Sequence, residues 1–328
     1  MTEQSTESDE PVDQELTARA PKGPSELRRR SWWGTLGRTL RETKQDNVTD
    51  LAAGLTYYAM LSIFPLLLAV LAVLGLIGES ATQPLIDNLR ELSPGAARDT
   101  VIGAVENLQR SQGAAGLLLI VSVVGGLWSA SRYVAAFMRA SNTIYEVDEG
   151  RPFWKKVPVR LGVTVLIALA LVVSAAAVVV TGDLARQAGD MVGLGSTAVT
   201  AWDAVKWPVA VLVVGLLIAV LYWAGPNVRH PGFRWLTPGS ALAVAVWVGG
   251  SAAFAFYVAN FASFNETYGS LGGIIVFLVW LWIANVGVLL GAELNAELER
   301  SREIERGLPP DQEPFLEHRD TAKLGRGP

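Results

Sequence analysis

The chain has 328 residues, of which 51% are hydrophobic and only 18% are charged, with a formal net charge of −4. This balance is unusual for a water-soluble protein and typical of one that crosses a membrane several times. The sequence contains no cysteine, which excludes disulfides, thiolate metal sites and a cysteine nucleophile.

Both ends of the chain have the composition of disordered segments. Residues 1–27 and 301–328 are rich in charged residues, Pro and small polar residues and poor in large apolar side chains. Such segments bury too little surface to offset the loss of chain entropy. We therefore predict disordered tails over 1–27 and 301–328 and a membrane domain over 28–300. Because the acidic start lacks an apolar core segment, we expect no signal peptide.

The first predicted helix precedes the apolar stretches and covers Ser31–Gln45. Trp32, Leu36 and Leu40 recur there at four-residue spacing, and basic residues occupy other faces. A helix with an apolar stripe, Trp and a basic face is typical of one that lies in the membrane interface. The alternative is a basic anchor without helical order.

Six long apolar stretches follow. A hydrocarbon core of about 30 Å requires roughly 20 helical residues, and each stretch reaches or approaches that length. The predicted spans are Leu55–Gly78, Ala114–Met138, Val159–Thr181, Trp207–Ala224, Pro238–Ala259 and Leu271–Ala292. Between the first two, Gln83–Gln112 shows helical periodicity with a Ser-Pro-Gly break, which predicts an external helical hairpin. The predicted fold is thus all-α, with six transmembrane helices.

The distribution of basic residues predicts the orientation. Segments rich in Arg and Lys alternate with acidic or uncharged ones at every crossing, and the positive-inside rule then places both termini in the cytoplasm. Ala, Val, Leu, Gly and Arg dominate while Lys is scarce, which indicates a bacterial genome rich in G and C. We predict a multi-pass protein of the bacterial plasma (inner) membrane.

Polar groups inside apolar spans are costly and are therefore functional candidates. In the first span, Pro65 removes a backbone donor and predicts a kink. The carbonyl that it frees lies near Tyr57, Tyr58 and Ser62 and needs a partner or a hydrated cavity. Broken helices of this kind are typical of transporter sites, but they also occur as inert kinks, and the sequence leaves both readings open.

A second group of candidates falls toward the predicted cytoplasmic side. It consists of Arg132 in the second span, Asn285 in the last span, Glu293 just after it and Asp50 just before the first. We hypothesise that Arg132 pairs with Glu293 or, alternatively, with Asp50, and that the pair gates a cavity or locks helices together. The competing interpretations are a static ion pair at the membrane edge and an arginine that snorkels to the headgroups.

The residues of catalytic chemistry are missing from the sequence pattern. The two histidines are isolated, no His, Asp and Glu spacing suits a metal, and there is neither a Ser/His/Asp arrangement nor a P-loop. We expect no catalytic, cofactor-binding or metal-binding residues, no bound nucleic acid and no enzymatic activity.

Several motifs recur in order along the chain and carry a resemblance. They are Ala53–Leu68, Asn142–Val147, Arg151–Lys155, Tyr222–Asn227, Tyr268–Gly273 and Gly291–Glu297. Together they resemble the YihY/BrkB family, which implies a six-helix protein of the bacterial plasma membrane. Some members carry the label of a serum-resistance virulence factor, and others were formerly labelled ribonuclease BN. This chain has no acid/histidine constellation for such cleavage, and we expect no ribonuclease activity.

The leading functional hypothesis is a transporter or exporter of a lipid-like or small envelope-related solute. The alternative is a non-transporting scaffold for envelope enzymes, which predicts a stable protein partner and tolerance of substitutions at Tyr57, Ser62 and Asn285. Expected partners are membrane lipids, an unidentified solute, and an envelope protein or a second copy of the chain. Gly287 and Gly291 form a GxxxG step that serves either dimerisation or internal packing.

Overall fold

The chain is mainly helical over the part that the computed structural model describes, namely residues 21–77, 115–179, 196–261 and 265–325. Seven α-helices lie in these ranges: α1, Arg29–Gln45; α2, Val48–Ile77; α3, Ala115–Ile144; α4, Phe153–Val179; α5, Ser196–Ala224; α6, Thr237–Phe261; α7, Asn265–Arg306. Short 3-10 turns occur at Pro24–Glu26 and Phe233–Leu236. Over the same ranges the β-structure is one isolated bridge between Val228 and His318, which confirms the all-α prediction. Residues 1–20 of the predicted tail and the predicted hairpin lie outside the described residues.

Four helical segments are long and apolar enough to cross a membrane, among the residues described. They are Phe153–Ser174, Val205–Ala224, Phe233–Tyr257 and Gly273–Arg306. Between 17% and 28% of each segment is buried, so most of these apolar side chains face outward, as lipid-facing residues do. The segments overlap the last four predicted spans, and the chain is a multi-pass membrane protein. Helices α2 and α3 cover the first two predicted spans, but a count of six remains a prediction.

The chain forms two compact units. The first consists of residues 1–54, 137–155 and 218–328, and the second of residues 55–136 and 156–217. The first unit holds α1, α6, α7 and one end each of α2–α5, and the second holds the remainder of those four helices.

Helix α1 confirms the helix predicted over Ser31–Gln45, but its faces differ from the expected ones. Leu36 and Leu40 are exposed, and the third outward apolar residue is Trp33 rather than Trp32. Trp32 instead packs against a small apolar cluster that includes residues of α7. The face turned toward α7 is polar because it meets polar residues there: the Thr35 hydroxyl lies 2.7 Å from that of Ser301.

The C-terminal segment corrects the prediction of a disordered tail over 301–328, because residues 301–325 are ordered. Helix α7 continues to Arg306, and residues 307–325, which we term the C-terminal clasp, fold back over two interhelical loops. Three backbone-to-backbone hydrogen bonds join the clasp to these loops: the N–H of Arg229 donates to the Glu317 carbonyl, that of Arg319 to Asn227 and that of Lys323 to Gly150, at 2.8–3.0 Å. Phe315 and Leu316 of the clasp are buried. Composition did not predict this order because the segment is held by two buried apolar side chains, Phe315 and Leu316, and by backbone hydrogen bonds to residues distant in sequence.

Candidate functional site

The predicted site residues of the first span lie in the second unit. Ser62 is buried, and its hydroxyl donates to the Tyr58 carbonyl at 2.7 Å and lies 3.3 Å from the Ser129 carbonyl of α3. Tyr57 is exposed and makes an edge contact with the Tyr58 ring at 5.4 Å between centroids. Helix α2 continues through Pro65 as one element, so the predicted kink remains a prediction.

Arg132 is also a residue of the second unit, and its side chain is exposed. Glu293 and Asp50 belong to the first unit, where Asp50 is exposed. The pairing of Arg132 with either acid therefore remains a prediction, and a charge swap between the two residues of each pair tests it.

Asn285 and Glu293 are both buried in the first unit, at 3% and 1% exposure. The Asn285 amide donates to the Leu281 carbonyl one turn earlier at 2.9 Å. Neither carboxylate oxygen of Glu293 accepts a hydrogen bond from a donor among the described residues. A buried carboxylate without a donor is strongly unfavourable unless it keeps its proton, and Glu293 is thus an unusual polar group of this unit.

The group that faces Glu293 is the carboxyl of Asp46, at the C-terminal end of α1. The two side chains lie within hydrogen-bonding contact. Two ionised carboxylates have no hydrogen to share, so this contact is a hydrogen bond only when one of the groups is protonated. Burial raises the pKa of Asp46 above its usual range, and the nearby Glu42 carboxylate adds to that effect.

The arginines near this carboxyl pair are committed to other acids. The Nε atom of Arg38 lies 2.5 Å from one carboxylate oxygen of Glu297. The Nε atom of Arg300 lies 3.2 Å from the other oxygen, without the geometry of a hydrogen bond. The Nη2 atom of Arg300 also lies 3.0 Å from Glu146. The negative charge of Glu297 is therefore balanced by two arginines. Neither Asp46 nor Glu293 forms an ion pair with an Arg or Lys side chain among the described residues.

Sequence reasoning identified Glu293 but missed its surroundings. The available signal was spacing: Glu293, Glu297 and Arg300 are separated by four and three residues and share one face of a helix. The contact with Asp46 had no sequence signal, because it depends on how α1 packs against α7.

A second polar cluster surrounds Asn227, in the loop between α5 and α6. Its backbone N–H donates to the Asn142 side chain at 2.8 Å, and its amide donates to the carbonyls of Asp148 and Asp320 at 3.1 and 2.8 Å. Its amide oxygen accepts the Asp320 N–H at 3.1 Å. A Cβ atom on Gly150 would overlap the Asp320 carbonyl. Asn142 and Asn227 belong to motifs that carry the family resemblance. Asn142 holds the loop of Asn227, and Asn227 binds the C-terminal clasp.

A third polar cluster is a buried pair between His230 and Glu299. The His230 Nδ1 atom lies 3.0 and 3.1 Å from the two carboxylate oxygens, and both side chains are at most 1% exposed. The Tyr145 ring meets the imidazole edge-on at 5.5 Å. This pair joins α7 to the loop that receives the clasp.

Two cavities accompany these clusters in the first unit. One, of about 660 Å³, lies between the end of α7 and the clasp and is lined by Arg302, Arg306 and Phe315 among others. The other, of about 340 Å³, is an apolar groove between α6 and α7 lined by residues such as Gly250, Val279 and Trp280. Over the described ranges, no group of three or more His, Cys, Asp or Glu side chains is arranged to hold a metal ion.

Comparison with known proteins agrees with the motif pattern. The family model described as Virulence factor BrkB matches residues 39–315. The chain is 30% identical to the ribonuclease-like protein YfkH of Bacillus subtilis over 264 residues, covering 80% of this chain and 93% of YfkH. It is 31% and 28% identical to UPF0761 membrane proteins of Aromatoleum aromaticum and Alkalilimnicola ehrlichii, covering 80% and 78% of this chain.

The lengths of these relatives differ. The chain covers 64% and 56% of the two UPF0761 proteins, less than two thirds of either. No solved structure matches the chain. Since the family model covers most of the sequence and YfkH is matched over nearly its whole length, the chain belongs to the Virulence factor BrkB family.

Proposed function

We propose that this protein is a transporter or exporter of a lipid-like or small envelope-related solute. In this proposal it crosses the bacterial plasma membrane six times, with both termini in the cytoplasm and α1 in the interface. The observation that carries the proposal is Glu293, a carboxyl group at 1% exposure without a hydrogen-bond donor among the described residues, on a helix long and apolar enough to cross a membrane. Such groups are expensive in a membrane protein and mark solute or ion pathways.

Two further features support transport. Asn285 is another buried polar side chain on α7, and a hydrogen-bonding group at that position suits the recognition of a polar headgroup. The apolar groove between α6 and α7 has a volume of about 340 Å³ and accommodates part of an acyl chain. A polar group and an apolar groove on one helix suit an amphiphilic solute.

The relative YfkH carries the words ribonuclease-like in its name. We propose no such activity for this chain, because its described residues supply no cluster of acids and histidines for metal-assisted hydrolysis. The scaffold hypothesis predicts instead a protein partner in fixed stoichiometry.

Native mass spectrometry of the protein in nanodiscs of a foreign lipid tests the proposal. We expect a specific endogenous lipid or solute to remain bound to the wild type. Asn285→Ala should lower its occupancy about tenfold, the effect of losing one hydrogen bond of about 1.4 kcal/mol. Glu317→Gln, at a side chain that is 80% exposed, is the matched control and should keep the ligand. A protein that arrives empty with a stoichiometric protein partner would replace transport with the scaffold function. RNA cleavage by the purified protein would contradict both.

A further inference from the structure

The contact between Asp46 and Glu293 has the features of a site for a small cation. Glu293 is almost completely buried, and neither of its oxygens has a donor among the described residues. Its neighbour is another carboxyl group, so the two acids satisfy each other only by holding something positively charged between them. The smallest such species is a proton, which requires no further ligands.

The charges around the pair also favour a bound cation. From α1 the pair faces Glu42, from α7 Glu297 and Arg300, and from the loop after α3 Tyr145. Arg38 and Glu146 lie one contact further out, against Glu297 and Arg300 respectively. The two arginines are engaged by Glu297 and Glu146 at 2.5–3.2 Å. Glu42 pairs with the exposed Arg41 and brings further negative charge. Burial, with nearby Glu299 adding to it, raises the pKa of Tyr145 well above its usual range, so the phenol stays neutral.

We propose that Asp46 and Glu293 form a proton-binding site in which the two carboxyl groups share one proton at neutral pH. The site also serves as the coupling site of transport, and that part of the inference rests on the proposed function. When the proton leaves to water, the charge of the pair changes from −1 to −2. Two adjacent buried carboxylates repel each other strongly, so proton release weakens the contact between the end of α1 and α7.

Neighbouring residues support this coupling. Asp46 is the last residue before a sharp connection to α2, in which Asn47 has a φ of 50°. Movement of Asp46 is therefore transmitted directly to the start of α2. The carboxyl pair also behaves as a unit, with its protons leaving in two steps that belong to the pair rather than to either residue.

Infrared difference spectroscopy of the purified protein, titrated with base from pH about 6, tests the site without any transport. A protonated carboxyl group has a carbonyl stretching band that a carboxylate lacks. We expect the wild type to show this band at neutral pH and to lose it at alkaline pH. Glu293→Gln and Asp46→Asn should each remove the component of the band that belongs to the pair and leave that of Glu146, whose pKa is also raised. The reason is that the new amide donates a hydrogen bond that the remaining carboxylate accepts while ionised. Glu317→Gln should leave the band unchanged.

Each outcome of this titration decides the inference. Absence of the band from the wild type at neutral pH, or its persistence at unchanged intensity in both variants, would overturn the proton site. Displacement of the band by sodium ions at constant pH would also overturn it, in favour of a metal-cation site. The two variants are independent, so failure of one to fold leaves the other to decide. If the band behaves as expected while the nanodisc-bound protein carries no ligand, the transport proposal fails and the proton site stands.

Discussion

The backbones of Gly239 in α6 and Gly291 in α7 are in direct contact. A Cβ atom on Gly239 would overlap the Gly291 carbonyl oxygen and would lie 2.5 Å from the side-chain amide of Asn295. That amide is fixed on both sides: its oxygen accepts the Gly239 N–H at 2.8 Å, and its nitrogen donates to the Leu236 carbonyl at 3.2 Å. Gly287 similarly faces Val246, whose Cγ1 atom lies 2.7 Å from the position of a Cβ. The predicted GxxxG step therefore packs within the chain, against α6.

The first prediction follows from this contact. Gly239→Ala must push the two helices apart, and overpacking of this kind destabilises by about 1–3 kcal/mol or more. Thermal unfolding in detergent measures the change. Gly249→Ala, in the same helix, is the matched control because a Cβ there meets nothing within 4 Å. Equal melting temperatures for the two variants would contradict the close approach.

The second prediction concerns the C-terminal clasp. Asn227→Ala removes the amide that bonds Asp148 and both backbone groups of Asp320, so we expect the clasp to detach at a cost of about 1–3 kcal/mol for the buried groups left unpaired. Hydrogen exchange of residues 307–325 should accelerate, whereas that of α7 should not change. Arg229→Ala is the control, since its side-chain ion pair with Glu317 is exposed and worth about 0–1 kcal/mol. Unchanged protection of the clasp in Asn227→Ala would show that Asn227 does not hold it.

The third prediction is a dependence of stability on pH that originates at Glu146. Burial raises the pKa of this carboxyl from 4.5 to about 7, against the attraction of Arg300, and the adjacent Glu313 adds to the increase. Because the folded state then binds the proton more tightly than the unfolded state, the contribution of Glu146 to stability is complete below pH 4.5 and is lost as pH rises through about 7.

Melting temperatures between pH about 5 and about 8 test this sign. Glu146→Gln should flatten the decline in that window, because the amide does not ionise. Glu313→Gln should shift the decline to lower pH, because it removes the acid that raises the pKa of Glu146. A wild-type protein whose stability rises over the same window would show the opposite sign and contradict the assignment.

The fourth prediction concerns the His230–Glu299 pair. His230→Leu leaves the fully buried Glu299 carboxylate without the imidazole that bonds both its oxygens, and breaking a buried pair in this way costs about 3–5 kcal/mol. Adding Glu299→Leu in the same chain should restore much of that loss, since a buried pair is often replaced by apolar side chains at little cost. Chemical unfolding of the single and double variants measures both changes. A double variant no more stable than the single one would mean that the loss is due to packing rather than to charge.

The transmembrane helices were predictable because an apolar run of about 20 residues has essentially one fold in a membrane. The C-terminal clasp was not, because its order comes from Asn227 and Gly150, which lie far from it in sequence and give no local signal. For α1, the helix was predictable from the sequence but its orientation was not. Its helical period was readable, but Trp32 rather than Trp33 is packed inside, since Ser301 and Glu297 of α7 select the polar face.

In the candidate site, too, some features were predictable from the sequence and others depend on how the helices pack. The burial of Glu293 and Asn285 followed from their position in an apolar helix, whereas the neighbour of Glu293 did not. Asp46 and Asp50 are one turn apart and look equivalent in sequence, yet Asp46 faces Glu293 while Asp50 is exposed. The turn at Asn47, with its positive φ, separates the two acids between successive helices.

The distance in sequence between the clasp and the loops it covers has a consequence for biosynthesis. The loops around Gly150 and Asn227 emerge from the ribosome long before residues 307–325, which close over them, so this part of the fold forms only after α7 has been synthesised. A stop codon at position 317 would delete Glu317, Arg319 and Lys323 together, along with every backbone bond described for the clasp. Such a truncated product would insert its helices normally and yet leave the loops of the first unit uncovered.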